Sequence, residues 1–505
     1  MSDNVHHPHP GVFRPVVEPE VMQDSESAEQ DKEQKNLKAK VKGSSSKRDA
    51  KGFGRRHAVA GDYMPFSLRP KNEWTVPEGT IRNNVQRPWL AHLDESVNSS
   101  QDVYHCLTEE ILAFENYMES TAMEKTAMEK ALSDFRSIIA LTDPAMKVSV
   151  IGSRATGLAM PLSDIDINIE PTPFLHQRSG QRRPWPANYP MGRGQAINLL
   201  RTVNRKIRKK AGKHPMFAKS TLIEAKVPII NALHTATGLE IQLQCTTDSP
   251  TTMELVKAYI TEFPTLRPLF LVLRQVLKMR GLGEAGGNGI GSYALIMMIV
   301  ATLKFSSARF NRRDAGKQLL YFLDFYSKIE FKSIGISVDP PELFPKSTQA
   351  SENSPEPFRA GDRGMLRPDE IPTTQARGRG MSTFDEIPTT EANNAAAAVS
   401  LGRKPICTRH PSRPYLMCLQ DPANPYNDLG KLAFAIKHVQ ATFTTLSLKM
   451  RTSMNFCETR QKHDARFSLL DPCLMGDYRL FERKRNALRD IGGKLTVEPV
   501  VAKYL

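Results

Sequence analysis

The chain has 505 residues, enough for two or three domains, and its 40% apolar content with 35 Pro and 30 Gly assigns part of that length to unpacked segments. Lys and Arg number 69 against 54 Asp and Glu, a net charge of +15 that favours a polyanionic partner, nucleic acid first. Six scattered cysteines without a CxxC pair exclude a disulfide framework, and no apolar run reaches the roughly 20 residues that span a bilayer. Cys407, His410 and Cys418 lie near one another, but three ligands without finger spacing are more often ordinary loop residues than a zinc site. The N-terminus lacks a secretory apolar region, and its early acids Asp3, Glu18, Glu20 and Asp24 argue against a mitochondrial presequence.

Residues 1–100 lack hydrophobic periodicity and carry a basic patch from Lys47 to Arg56, so they read as a disordered basic arm. From 102 to 139 the spacing turns helical, with Leu107, Ile111, Leu112 and Phe114 on one side and Pro144 closing the stretch; residues 101–145 are expected to pack as helices on a central domain. Inside it a pentad from Thr121 to Lys125 is repeated from Thr126 to Lys130, a period that matches no helical face. Strands are expected over 147–151, 165–169, 228–233 and 239–244, with Thr237-Gly238 as the turn between the last two, and a cation-rich helix over 195–213. These delimit one domain over 146–250. Long apolar runs from 252 to 305 predict packed helices in a second domain over 251–340. Residues 341–412, rich in Pro, Ser, Thr, Gly and Ala, repeat the hexad Asp369 to Thr374 as Asp385 to Thr390 and read as a disordered insertion. Helical spacing returns over 429–448, within a further part of the second domain over 413–452, and 453–505 form a C-terminal tail whose charged amphipathic segment runs over 476–491.

One segment carries chemistry: Val150-Ile151-Gly152-Ser153, then Ser163-Asp164-Ile165-Asp166. A strand running into Gly-Ser presents free backbone N–H groups at a tight turn, where phosphates can approach and Ser153 can donate. Asp164 and Asp166, two residues apart on a strand, project from one face, an arrangement able to hold two divalent cations roughly 3.5–4 Å apart. Either feature alone is more often an ordinary turn or a solvated strand end. Their conjunction points to nucleotidyl transfer.

On these residues the chain resembles the DNA polymerase β-like nucleotidyltransferases, and among them the non-canonical poly(A) polymerases and terminal uridylyltransferases. The likeness continues through Val227-Pro228-Ile229-Ile230, the run Arg267 to Lys278, Gly289 to Leu295, and Asp421 to Gly430, which is similar to the family's PAP-associated segment. It implies an α+β fold: a nucleotidyltransferase palm with a mixed sheet beside a mainly helical central domain, with the site between them. It further implies that Gly152 and Ser153 bind triphosphate, that Asp164 and Asp166 bind Mg2+ or Mn2+, and that Arg274, Lys278 and Ser292 bind phosphates. Tyr293 would stack on the incoming base. Asn427 stands where uridylyl-specific relatives tend to carry His, which favours ATP as donor.

One position departs from the family. Its pattern carries a third catalytic Asp on the strand after the central Gly, and aligning Gly238 brings Gln242 there. A neutral amide neither accepts the 3′-hydroxyl proton nor adds charge to a metal site. Glu240 shares the strand face but lies about 6.6–6.8 Å away at the strand rise. The stretch 171–226 holds thirteen Lys or Arg against Glu224 alone, and Arg205, Lys206, Arg208, Lys209 and Lys210 would track an RNA backbone without reading bases. A solvated face or a protein-docking helix is the lesser alternative for the same charges. Trp185 and Tyr189 could stack on bases or belong to a docked loop. The expectation is template-independent addition of AMP to RNA 3′ ends; uridylyl transfer and a silent RNA-binding scaffold are its rivals. A zinc-knuckle protein and a helicase as partners, and the nucleus rather than mitochondrion or cytoplasm as compartment, follow from the resemblance alone.

Overall fold

Five strands make one mixed sheet: β1 (Lys147–Val150), β2 (Ile165–Glu170), β3 (Phe217–Ile223), β4 (Ile229–His234) and β5 (Glu240–Gln244), in the order β1-β2-β5-β4-β3. β2 and β5 run parallel and the other neighbours antiparallel. The computed structural model describes residues 86–93, 102–170, 192–209, 215–225, 227–245, 250–283, 288–346, 413–460 and 468–501. The basic patch Lys47–Arg56, Trp185, Tyr189, Lys210, Cys407, His410 and most of the expected insertion lie outside the described residues.

The helices are α1 (Val103–Tyr117), α2 (Ala122–Ala140), α3 (Gly152–Thr156), α4 (Arg193–Lys209), α5 (Pro250–Glu262), α6 (Leu266–Met279), α7 (Ser292–Phe305), α8 (Ala315–Lys328), α9 (Ile436–Arg460), α10 (Asp471–Leu474) and α11 (Arg479–Val501). Alternation along the strands turns Ile165, Ile167 and Ile169 of β2 and Ile241 and Leu243 of β5 toward one face, where they form a core with Phe135 of α2 and Leu200 and Val203 of α4. A second core gathers α1 and α5 to α9, with α7 buried along nearly its whole length. The α+β architecture expected from the sequence is the one observed.

Four boundaries differ from expectation. The helical stretch from 102 to 139 breaks in two, because Thr121 and Glu124 form a capping box that restarts the chain as α2. α2 then packs on the palm core rather than on the helical domain. The expected N-terminal arm includes a docked piece: Trp89 is fully buried and its indole donates to Glu110 at 2.9 Å, while Arg87 pairs with Asp471 at 2.7 Å. Ordered structure passes residue 340, since β6 (Ile334–Ser337) and β7 (Glu342–Pro345) form a hairpin. At its end the buried Lys346 ammonium donates to the carbonyls of Phe331, Pro414 and Leu416 at 2.8, 3.2 and 2.8 Å. The fourth is the tail: α9 runs past 452, and α11 with the residue before it joins both cores, Tyr478 and Phe481 lying in the helical one and Leu488 in the palm. Between them the buried Arg485 donates to Glu124 at 2.8 Å and to the carbonyls of Tyr117 and Glu119. Gly492 permits that approach, because a Cβ there would lie 1.9 Å from the Met123 carbonyl oxygen.

Candidate active site

β1 delivers the chain into the Gly-Ser turn. Ile151 N–H donates to the Asp166 carbonyl at 2.9 Å, and Gly152 then takes φ +68°. A Cβ at Gly152 would sit 2.3 Å from Asp166 Oδ2, so both the backbone angle and the close carboxylate require glycine. Behind the turn, Leu158 N–H donates to the Ser153 carbonyl at 2.9 Å, and Arg267 of α6 holds the Gly157 carbonyl at 3.0 Å. The Gly-Ser turn is thereby tied to the helical domain.

Asp164 is exposed and Asp166 half-buried. Burial pushes the Asp166 carboxyl up to about 6, the charge of Asp164 adds to the rise, and Arg154 opposes it. Arg154, which sequence reasoning did not single out, donates from Nε to the Asp164 carbonyl at 3.0 Å and also to the Ser163 carbonyl, clasping the turn that leads into the carboxylate strand. Its burial lowers the guanidinium to about 10, against the pull of both carboxylates.

The strand register relates β5 to the carboxylate strand. Asp166 pairs with Gln242 across the parallel β2–β5 ladder, and Asn168 with Gln244. Gln242 therefore stands directly beside the carboxylate strand. Glu240 is exposed, pairs with Leu233 on β4, and does not line the cavity. Among the described residues no group of three or more His, Cys, Asp or Glu is arranged to hold a metal. Two adjacent carboxylates of which one is hard to ionise do suit a Mg2+ ion that brings further oxygens with it, since Mg2+ is usually held by one or two carboxylates plus substrate phosphates.

Opposite this strand, helices α5, α6 and α7 close a cavity of about 370 Å³, lined on the palm side by Gly152, Ser153, Asp166 and Gln242 and on the helical side by Ser292 and Tyr293. That volume is in the range of small-ligand sites. Tyr293 donates its hydroxyl to Asp421 at 2.9 Å, and the other oxygen of Asp421 accepts from Asn427 at 2.9 Å. Burial and the Asp421 charge raise the Tyr293 hydroxyl well above its usual value. Asn427 thus acts on the cavity through Asp421, a buried link that sequence reasoning missed because 128 residues separate it from Tyr293. Arg274 and Lys278 share a face of α6 but do not line the cavity; Arg274 Nη1 lies beside Gly283, where a Cβ would be 3.0 Å away. Arg205, Lys206, Arg208 and Lys209 are exposed on α4, which covers the sheet face opposite the cavity.

Residues 107–260 match the family model for the central palm domain of mitochondrial-like poly(A) RNA polymerase. The palm is similar to the palms of poly(A) RNA polymerases. The family match ends before the hairpin of β8 (Gln420–Asp421) and β9 (Asn424–Asp428) that carries Asp421 and Asn427. Among curated relatives, the Drosophila melanogaster protein named inactive non-canonical poly(A) RNA polymerase Trf4-2 is 26% identical over 284 residues, 54% of this chain and 60% of that one. The Schizosaccharomyces pombe poly(A) RNA polymerase cid14 is 22% identical over 432 residues, 83% of this chain and 50% of that one. The chain therefore spans about half the length of these relatives. In fold it is similar to the polymerase core of TRAMP, an RNA surveillance complex, with a TM-score of 0.53 at 17% identity over 77% of this chain and 96% of that one. Among the described residues no helix is long and apolar enough to cross a membrane.

Proposed function

We propose that the chain is an RNA 3′-end nucleotidyltransferase that adds AMP from ATP, with its chemistry weakened at one position. The observation that carries this reading is the cavity in which the Gly152-Ser153 turn, Asp166 and the Ser292-Tyr293 helix start converge. Gly152 and Ser153 would receive the triphosphate with Ser292 gripping it from the helical wall, and Tyr293, fixed by Asp421, would stack on the base. Asp164 and Asp166 would hold Mg2+. When bound, Mg2+ supplies Lewis-acid polarisation of the phosphoryl oxygens. Arg274 and Lys278 would reach phosphates beyond the cavity, Asn427 would favour adenine through Asp421, and the exposed cations of α4 would hold RNA. Gln242 takes no proton from the attacking 3′ hydroxyl, so transfer is slow. By the same resemblance, a zinc-knuckle protein and a helicase would be partners in a nuclear RNA-processing complex.

Gln242 also favours a second reading, in which the cleft binds nucleotide or RNA without transfer, and the similarity to a relative named inactive supports it. Extension of an RNA primer with each of the four nucleoside triphosphates separates these readings. Slow, ATP-dependent extension that rises on the order of 10²–10⁴-fold in Gln242→Asp supports a weakened polymerase. Extension with UTP instead makes the chain a uridylyltransferase. No extension by either variant, with ATP still bound, leaves the scaffold.

A further inference from the structure

The family site to which this chain is similar has three carboxylates around two metal positions; here the third position is held by an amide. We propose that this cleft takes a single divalent cation, the one that enters with the nucleotide, and that Gln242 and Arg154 together exclude a second. The inference rests on the nucleotide-binding reading above and concerns only how many ions accompany the nucleotide.

Three observations carry it. Gln242 sits directly across the ladder from Asp166, so the oxygen it offers at the third position is a neutral amide oxygen. Glu240, the nearest carboxylate on that strand face, is exposed and outside the cavity, so no acid substitutes for it. Arg154 is a fixed cation on the same turn, bonded to the Asp164 and Ser163 carbonyls, and its charge acts on both Asp164 and Asp166. With that guanidinium counted against them, the two carboxylates bring no more than a single net negative charge from the protein. An ion carrying triphosphate oxygens needs little more than that, because Mg2+ is commonly held by one or two carboxylates plus phosphates. A second ion has to be drawn in by protein charge, and the amide and the guanidinium withhold it.

The count of bound Mn2+, read by electron paramagnetic resonance, tests this without any turnover. The full chain is titrated with Mn2+ in the presence of an ATP analogue whose α and β phosphates are joined through a methylene group. The Mn2+ concentration is taken up to the level that saturates Gln242→Asp. One Mn2+ per bound analogue in the native chain and two in Gln242→Asp is the expected result; if Gln242→Asp unfolds, the isosteric Gln242→Glu takes its place. Two ions in the native chain overturn this inference and leave the nucleotide-binding reading standing. One ion in both the native chain and a folded carboxylate variant overturns it as well, because position 242 is then not what decides the number. A native chain that holds neither analogue nor Mn2+ overturns the nucleotide-binding reading and this inference with it.

Discussion

The two faces of the palm sheet are made by alternate residues of the same strands, and they differ in sign. Toward the cleft, β2 presents Asp166, with Asp164 exposed just before it, and β5 presents Gln242 and Gln244. Toward the other side the same strands give only Ile165, Ile167, Ile169, Ile241 and Leu243, and the helix that covers them, α4, carries exposed Arg205, Lys206, Arg208 and Lys209. The core between them is built mainly of aliphatic side chains. Residues one apart in sequence therefore end in an acidic cleft or under a basic surface, and the period of two along a strand makes that division. The cations of α4 are in no position to touch a nucleotide bound beside Asp166.

The largest effect is expected on the cleft side. Asp164→Ala combined with Asp166→Ala should remove Mg2+-dependent nucleotide incorporation while leaving the thermal transition in place, since neither side chain belongs to the palm core. Incorporation at the native rate would show that the acidic face is not the reacting one. On the opposite face, replacing Arg205, Lys206, Arg208 and Lys209 with Gln should weaken unrelated RNAs alike and flatten log K against log salt by roughly 0.7–0.9 for each phosphate no longer neutralised. ATP affinity should stay unchanged; if it falls too, the faces are not independent. The smallest effect is on stability. The folded Asp166 carboxyl is raised from 3.8 to about 6, so charging it disfavours the folded state. Without divalent cations its contribution is most favourable below about pH 4 and is lost as pH rises through 6. Asp166→Asn should accordingly stabilise the cation-free protein near pH 7 by on the order of 1 kcal/mol, a figure reduced for its partial exposure, and by nothing near pH 4. Urea denaturation at the two pH values reads the difference.

What the sequence made legible was local. The strands of Asp166 and Gln242 follow from alternation, and Gly238, at φ +67°, fixes the turn before β5, so the sequence alone places position 242 on its strand. β3 was not expected. It is an edge strand whose polar Lys219, Ser220 and Thr221 sit at a register shift, with Lys219 at φ +55°, so its apolar alternation is broken. The identical pentads show the limit of local reading: Thr121 caps α2, while Thr126 merely returns a bond to the Ala122 carbonyl inside it. Arg154 and Asp421 escaped for a different reason. Both act on groups brought near by the fold, and no spacing rule records that a buried aspartate bonds a tyrosine on another helix.

Lys346 bears on how the protein tolerates change in length. Its three bonds hold the chain just before residue 347 beside the chain just after residue 412, so the two ends of that segment meet at one fixed junction. Loop closure grows only logarithmically with length, about 0.6 kcal/mol for each doubling, once the ends are set. The junction works as a socket for interchangeable inserts. Evolution or an engineer can lengthen, shorten or replace what is plugged in there at little cost to the helical core, provided the lysine and its three carbonyls are kept.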